Sequence, residues 1–527
     1  MGIFLRLYQF LPSRASTSLG HYELLSTNPG DSPPTPPRDD IEADPHEPKS
    51  TTATSTTYSK ALSSWAVETA WKSAFFLVPS FLAPYIDRHH QKVERRITET
   101  TYLNGIRGLA ASLVYIQHVG YETWIHWGYG SRPSETYFIQ RPLIRVIYSG
   151  RFMVAIFFIL SGYVLSYKPL QLARKHDSGA LFVNLSSAVF RRTPRLFLPV
   201  VPIMIGTATI VYFGCYGDGN FTQNSCYERE SSIWTQYTDY IPIFIRMINP
   251  SVWDEYFPPT VEPLWTLPME FRGSMVVFLA VCSLGNIRPL PRISCMILLA
   301  GFLLHIGRWD TFLFICGSVL AELRIFRNQA SSLYNFESLY LLSPKTSIIW
   351  KTFNAIFWIT ALITSLWIGS WPARGASNSP GFRTLFNWTP NTYNNGYHSI
   401  GDNDRLVQCF WVSLSALLLL LSFEHLSFLQ KPFDSALAAY VGDISFSFYI
   451  VHWTMLHTVG QSIIGTAMRW WPGGRGAGVG YPTGFFVGVV LTTPVVVWVA
   501  DVYWRAFDLG AVRTSRWLNG KCVRNLA

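Results

Sequence analysis

Charge is what this chain has least of. Only 14% of its 527 residues are Asp, Glu, Lys or Arg, against about a quarter in an ordinary soluble domain. That deficit argues against a purely soluble protein. Cysteine is scarce too: seven residues are too few for a disulfide framework. No His/Cys cluster has metal-site spacing and no serine sits in a nucleophile-elbow context, so neither a metal nor an acyl-enzyme is expected. Apolar residues, in contrast, make up 49% of the chain, and mean hydropathy is above zero. As a whole, such a chain is neither disordered nor collagen-like. Lys and Arg outnumber Asp and Glu by 42 to 32, a net charge of +10. On a soluble protein that excess would suggest nucleic acid. On an apolar one it marks cytosolic loops, and no nucleic-acid partner is expected.

Residues 1–65 are rich in Ser, Thr, Pro and Asp and read as a disordered tail. Residues 66–98 read as an amphipathic segment at the membrane surface. Within it, Ala74 to Ile86 is apolar but short and holds Pro79 and Pro84. From 99 to 505 the apolar runs come in membrane-length blocks, near 103–122, 149–168, 195–214, 263–284, 293–308, 309–325, 349–370, 405–423, 436–459 and 483–504. Crossing ~30 Å of hydrocarbon takes roughly 20 helical residues. The spacing therefore predicts an all-α polytopic membrane bundle of about ten helices, followed by a cytosolic tail over 506–527. Trp124, Trp127, Trp371 and Trp470-Trp471 fall at span ends, as in an aromatic belt.

Loop charge predicts the orientation. Arg88 to Arg96, Lys168 to Arg195, Arg288 to Arg292 and Arg324 to Lys351 are basic, whereas the loop 216–260 carries six carboxylates. Under the positive-inside rule both termini are cytosolic, in an endomembrane (endoplasmic reticulum) or the plasma membrane. The sequons at Asn220 and Asn387 then face the other side and are candidate glycosylation sites, whereas Asn184 should stay unused. Cys215 and Cys226 form either a disulfide in that loop or a coincidental pair.

Ionisable groups inside spans are costly and mark candidate sites facing the bundle interior. Arg107 and His118 lie eleven residues apart in span one. That separation returns to within about 20° of the same helix face, after a rise of ~16 Å. Arg192 and Arg195, in Arg191-Arg-Thr-Pro-Arg195, start span three, where Pro194 suits a first helical turn and a helix N-terminus suits an anion. A positive-inside anchor is the plainer reading of those arginines. Glu270 lies roughly 9 Å into span four and is either functional or paired with Arg272 or another helix. His452, in span nine, reaches a depth similar to that of His118. His118, Glu270 and His452 are thus expected in one layer. Asp310 and Asp501 read as groups that each pair structurally or lie near the membrane interfaces.

Taken together, these segments resemble the acyltransferase 3 family of integral-membrane O-acyltransferases over about residues 100–505. The likeness rests on Tyr102-Leu-Asn-Gly-Ile-Arg-Gly-Leu-Ala-Ala111 with His118, Ala155-Ile-Phe-Phe-Ile-Leu-Ser-Gly-Tyr163, Arg191-Arg-Thr-Pro-Arg195 and Pro263-Leu-Trp-Thr-Leu-Pro-Met-Glu270. It is completed by Arg308-Trp-Asp-Thr-Phe-Leu-Phe-Ile-Cys-Gly317 and Gly442-Asp-Ile-Ser-Phe-Ser-Phe-Tyr-Ile-Val-His452. Asn104, Thr266, Pro268-Met269 and Phe446 depart from the usual pattern. The resemblance implies about ten helices and transfer of an acyl group from cytosolic acyl-CoA to a hydroxyl. It places the basic-residue-x10-His motif on Arg107 and His118, and the Arg-x-x-Arg motif on Arg192 and Arg195. The tail and loops suggest a fungal source.

The expected reaction is direct O-acyl transfer. Arg107, Arg192 and Arg195 hold the phosphates of coenzyme A, the co-substrate, and no permanently bound cofactor is needed. Neutral His118 takes the acceptor's proton, with Glu270 or His452 fixing its tautomer. The acyl group is acetyl by default. The acceptor is a small-molecule natural product, as in secondary metabolism, a lipid or a carbohydrate. The rivals are a proton-coupled transporter of an organic anion and a non-catalytic acyl-CoA-binding membrane protein. No internal repeat of spans supports the transporter.

Overall fold

The computed structural model describes residues 74–86, 100–120, 127–132, 136–219, 227–249, 251, 255–333, 344–394, 403–471 and 480–522. Contacts divide the chain into two units at Arg96/Ile97. The described part of the first unit is two short helical stretches, the second Ala83–Ile86.

The described part of the second unit is helical, without strands. Its main helices are α1 (Thr101–Val119), α2 (Gly150–Arg174), α3 (Ser178–Phe197), α4 (Val200–Tyr212), α5 (Ile233–Ile248), α6 (Thr266–Leu284) and α7 (Pro289–His305). They continue with α8 (Trp309–Leu333), α9 (Pro344–Gly369), α10 (Asn403–His425), α11 (Ala436–Met455), α12 (Gln461–Trp470), α13 (Gly480–Tyr503) and α14 (Leu509–Cys522). Each predicted span coincides with a helix or a pair of them. Among the described residues, six helical segments are long and apolar enough to cross a membrane: 150–174, 178–212, 262–284, 349–369, 405–425 and 482–522. Among the remaining spans, α1 carries Arg107 and His118, α8 carries Asp310, Glu322, Arg324 and Arg327, and α11 carries Asp443 and His452. These polar groups lower the apolar content of the helices that hold the interior together.

Local chemistry sets the boundaries. The Asp177 carboxylate accepts from the Ala180 amide at 2.8 Å and starts α3. Ser435 caps α11 in the same way. The bend between α7 and α8 turns on Gly307, whose φ of +83° suits glycine. Three features differ from expectation. Residues 509–522 form a helix packed on α3, with Ala511 and Ser515 buried one turn apart. The loop after α4 contains the amphipathic α5, which buries Gln236, Tyr240 and Met247. Trp371 is 1% exposed, a core residue and not part of a belt, whereas Trp470 and Trp471 are exposed. Trp124, Asn220 and Cys226 lie outside the described residues.

Two glycine-lined crossings bring the key helices together. A Cβ on Gly108 of α1 would lie 2.6 Å from the Gly442 amide nitrogen of α11. A Cβ on Gly162 of α2 would lie 2.0 Å from the Phe314 carbonyl of α8. Both obstacles are backbone, so neither can move aside. Gly108→Val should therefore separate α1 from α11 and lower the melting temperature in detergent, at an overpacking cost of about 1–3 kcal/mol or more. Gly301→Ala, facing open space on α7, is the control and should leave melting unchanged or slightly raised.

Several buried charges are paired. Arg272 donates to Asp310 at 2.6 Å. Arg292 and Arg174 both bond Glu322, at 2.7 and 2.8 Å. Arg324 donates to Glu424 at 2.8 Å, and Tyr102 donates to the same oxygen at 2.6 Å. Asp501 takes Arg505 at 2.7 Å and Tyr440 at 2.8 Å. Asp310 and Asp501 are thus structural partners, one of the two roles read from the sequence.

Candidate active site

The eleven-residue spacing of Arg107 and His118 turns both toward α11. Arg107 Nε donates to Ser445 Oγ at 3.0 Å, and its Nη2 donates to the Gly442 carbonyl at 2.9 Å. Asn104, one turn earlier, donates to Asp443 at 3.0 Å. The Gly108–Gly442 approach makes these short bridges possible.

At the other end of the same interface, the His118 ring lies 5.2 Å from the His452 ring, centre to centre. Trp453 meets His118 edge-on at 5.0 Å. His118 is half-buried, whereas His452 is 1% exposed. His452 Nδ1 lies 3.2 Å from the Phe448 carbonyl. A carbonyl only accepts, so Nδ1 carries the proton and Nε2 is left as a bare lone pair. That buried Nε2 has no hydrogen-bond partner among the described residues. Tyr115 and Tyr449 pack around the His452 ring, at 6.4 and 5.7 Å.

Glu270 is not in this layer. It accepts from Arg192 Nη2 at 2.8 Å and from Ser161 at 3.2 Å. Gly150, at the start of α2, abuts Gln117. Eleven residues along α2 then carry Ser161 ~16 Å back to the level of Arg107. The Glu270–Arg192 pair therefore sits at the guanidinium end of the bundle. The expected three-residue layer divides into a histidine pair and a separate carboxylate–guanidinium pair.

The anion site at a helix N-terminus is also overturned. Arg195 lies in the last turn of α3 and Arg192 about one turn before it, with Pro194 inside the helix. The helix starts earlier because Asp177 caps it, and its negative end then faces these arginines. Their attraction for phosphate comes from the guanidinium groups alone. Arg192 commits Nε to Ser274 at 2.8 Å and Nη2 to Glu270, which leaves Nη1 for a ligand. Arg195 and Arg516 of α14 each lie within electrostatic reach of Arg191. Arg107, Arg192 and Arg195 are all half-buried.

Several residues escaped the sequence reading. Ser274 is a single serine in an apolar span and carries no pattern, and Ser161 lay inside a quoted segment without a role being assigned to it. Arg516 looked like an ordinary tail charge. His457 lies five residues beyond His452, about 140° around a straight helix. It belongs to a π-turn at Leu456–Gly460 that no sequence period reveals. Asn387 is exposed as the last residue of a short helix, Phe382–Asn387, and the Thr389 hydroxyl of its sequon accepts from Trp411 at 2.9 Å.

The profile of the acyltransferase-domain family matches residues 100–501. The chain is 27% identical to O-acetyltransferase PaAT-1 of Phomopsis amygdali, over 82% of this chain and 87% of that protein. It is 22% identical to acyltransferase clz18 of Cochliobolus lunatus, covering 71% and 86% of the two. Identity to acyltransferase R4 of a Phoma species is also 22%, covering 76% and 93%. All three come from fungi, in line with the expected source. No solved structure matches the chain significantly.

Proposed function

The chain belongs to the acyltransferase family, and from that premise we propose that it transfers an acetyl group from acetyl-CoA to a hydroxyl of a lipophilic small molecule. The observation that carries the reading is one helix pair, α1 and α11, with Arg107 at one end and two adjoining imidazoles at the other. Arg192, with Arg195 beside it, supplies further guanidinium at the Arg107 end. PaAT-1 is named an O-acetyltransferase, which supports acetyl as the acyl group.

Coenzyme A enters from the cytosol. Its phosphates meet Arg107, Arg192 and Arg195, and its thioester reaches along α1 to His118. The acceptor O–H loses its proton to neutral His118 as its oxygen attacks the thioester carbonyl. The C–S bond breaks, and the departing thiolate takes the proton back as CoA-SH. His452, rather than Glu270, is the neighbour that orients His118. Glu270 holds Arg192 in place. Both termini are cytosolic, and Asn387 on the opposite side can carry a glycan.

The test is release of free CoA by purified protein given acetyl-CoA and a panel of alcohols, with the acetylated product identified by mass spectrometry. CoA release matched mole for mole by an O-acetyl ester is expected. Acetyl-CoA binding without either product across the panel would contradict the proposal.

A further inference from the structure

We propose that His457 is a positioning residue for His118, acting through Trp453 and held from the far side by the loop 214–219. The inference rests on the acyl-transfer reading for its meaning and on geometry for its support. His457 lies 4.5 Å from Trp453, ring centre to ring centre, and Trp453 lies 5.0 Å from His118. On its other side, Tyr216 stacks on His457 at 5.1 Å and 12°. Four rings thus run without a gap from the loop to the proposed base.

The loop is fixed to His457 by backbone as well as by rings. The Gly217 amide donates to the His457 carbonyl at 2.7 Å, and His457 Nδ1 donates to the Gly217 carbonyl at 2.8 Å. Tyr216 is anchored in turn, donating to the Thr260 carbonyl at 2.5 Å. Gly219 has φ +92°, and a Cβ there would lie 2.8 Å from His457 Cε1. The loop therefore comes so close to the imidazole that only glycine fits. These contacts meet at the π-turn, a helix irregularity often found at functional sites. His457 follows Trp453 by four residues, the spacing of neighbours on one helix face, and so stands where it can brace Trp453 and receive Gly217. A shift of about 1 Å in a catalytic group can cost 10²-fold in rate, so bracing Trp453 governs how well His118 is aimed.

The experiment is diethyl pyrocarbonate labelling of the full chain in detergent, with His118 modification read by peptide mass spectrometry. Exposed His305 is the internal reference. His457→Ala and Gly219→Ala should label severalfold faster at His118 than wild type, relative to His305. His457→Phe keeps a ring and should restore the wild-type rate. His457→Gln keeps a donor for the Gly217 carbonyl without a ring and should label fast, and it serves should His457→Ala fail to fold. Unchanged His118 labelling in His457→Gln, or fast labelling in His457→Phe, would overturn the proposal. With acetyl-CoA and an accepted alcohol, His457→Gln should lower kcat about tenfold or more while KM for acetyl-CoA stays put. Labelling needs no turnover. A protein that follows the labelling pattern yet acetylates nothing would refute the acyl-transfer reading and leave the positioning role standing.

Discussion

Acyl transfer by His118→Ala should fall by about 10²–10⁴-fold in kcat, the range that general-base assistance contributes. Acetyl-CoA should still bind, because Arg107 lies ~16 Å away along α1 and Arg192 and Arg195 belong to α3. The substitution removes a half-buried ring beside Trp453 and His452, so the fold should survive. His452→Ala should cost less in rate, because it removes the neighbour that orients the base and leaves the base itself. The two losses should not add, since the rings touch and act as a unit. Stopped-time assays of CoA release on the two single variants and the double variant check this. A His118→Ala protein with wild-type turnover would remove the proposed base.

The second large effect is expected at Arg192. Arg192→Ala should raise KM for acetyl-CoA by roughly 30-fold or more, since losing one partner of a buried charge pair costs 2–5 kcal/mol. The loss has two parts. A phosphate partner goes, and the Glu270 carboxylate is left without its guanidinium, 22% exposed and facing where an anion must bind. Glu270→Gln alone should change KM modestly, because Arg192 keeps Ser274. The double variant Arg192→Ala/Glu270→Gln should recover part of the affinity by removing the stranded charge. Titration of acetyl-CoA against the three proteins decides the matter. Equal KM values throughout would make the Arg192–Glu270 pair purely structural.

Spacing, motif and composition made one part of this site legible. Arg107 and His118 were readable because a helix has a fixed period, and eleven residues return to one face. His452 was readable because an ionisable group in an apolar run is rare. Glu270 was found but misplaced: depth counted along one helix ignores how its neighbours are staggered. The partnership of Glu270 with Arg192 depends on α2 and α3, which sequence distance does not relate. The helix-start reading of Arg192 and Arg195 failed because Pro194 resembled a first-turn proline, while the true start was set by the Asp177 cap. His457 was hidden because its partners Tyr216 and Gly217 come from a loop 240 residues earlier in the chain, which no helix period relates to it. The specific partners within the ion pairs of Arg272, Glu322 and Glu424 were likewise illegible, since each lies on another helix, from 30 to 148 residues away.

For acyl transfer at this site, a nucleotide thioester held by the three arginines must reach the paired imidazoles. A cryo-EM structure with bound coenzyme A measures this directly. The diphosphate and ribose phosphate should lie against Arg107, Arg192 and Arg195, with the thiol entering the space between His118 and His452. A thiol ending elsewhere, or phosphates bound away from those arginines, would contradict it.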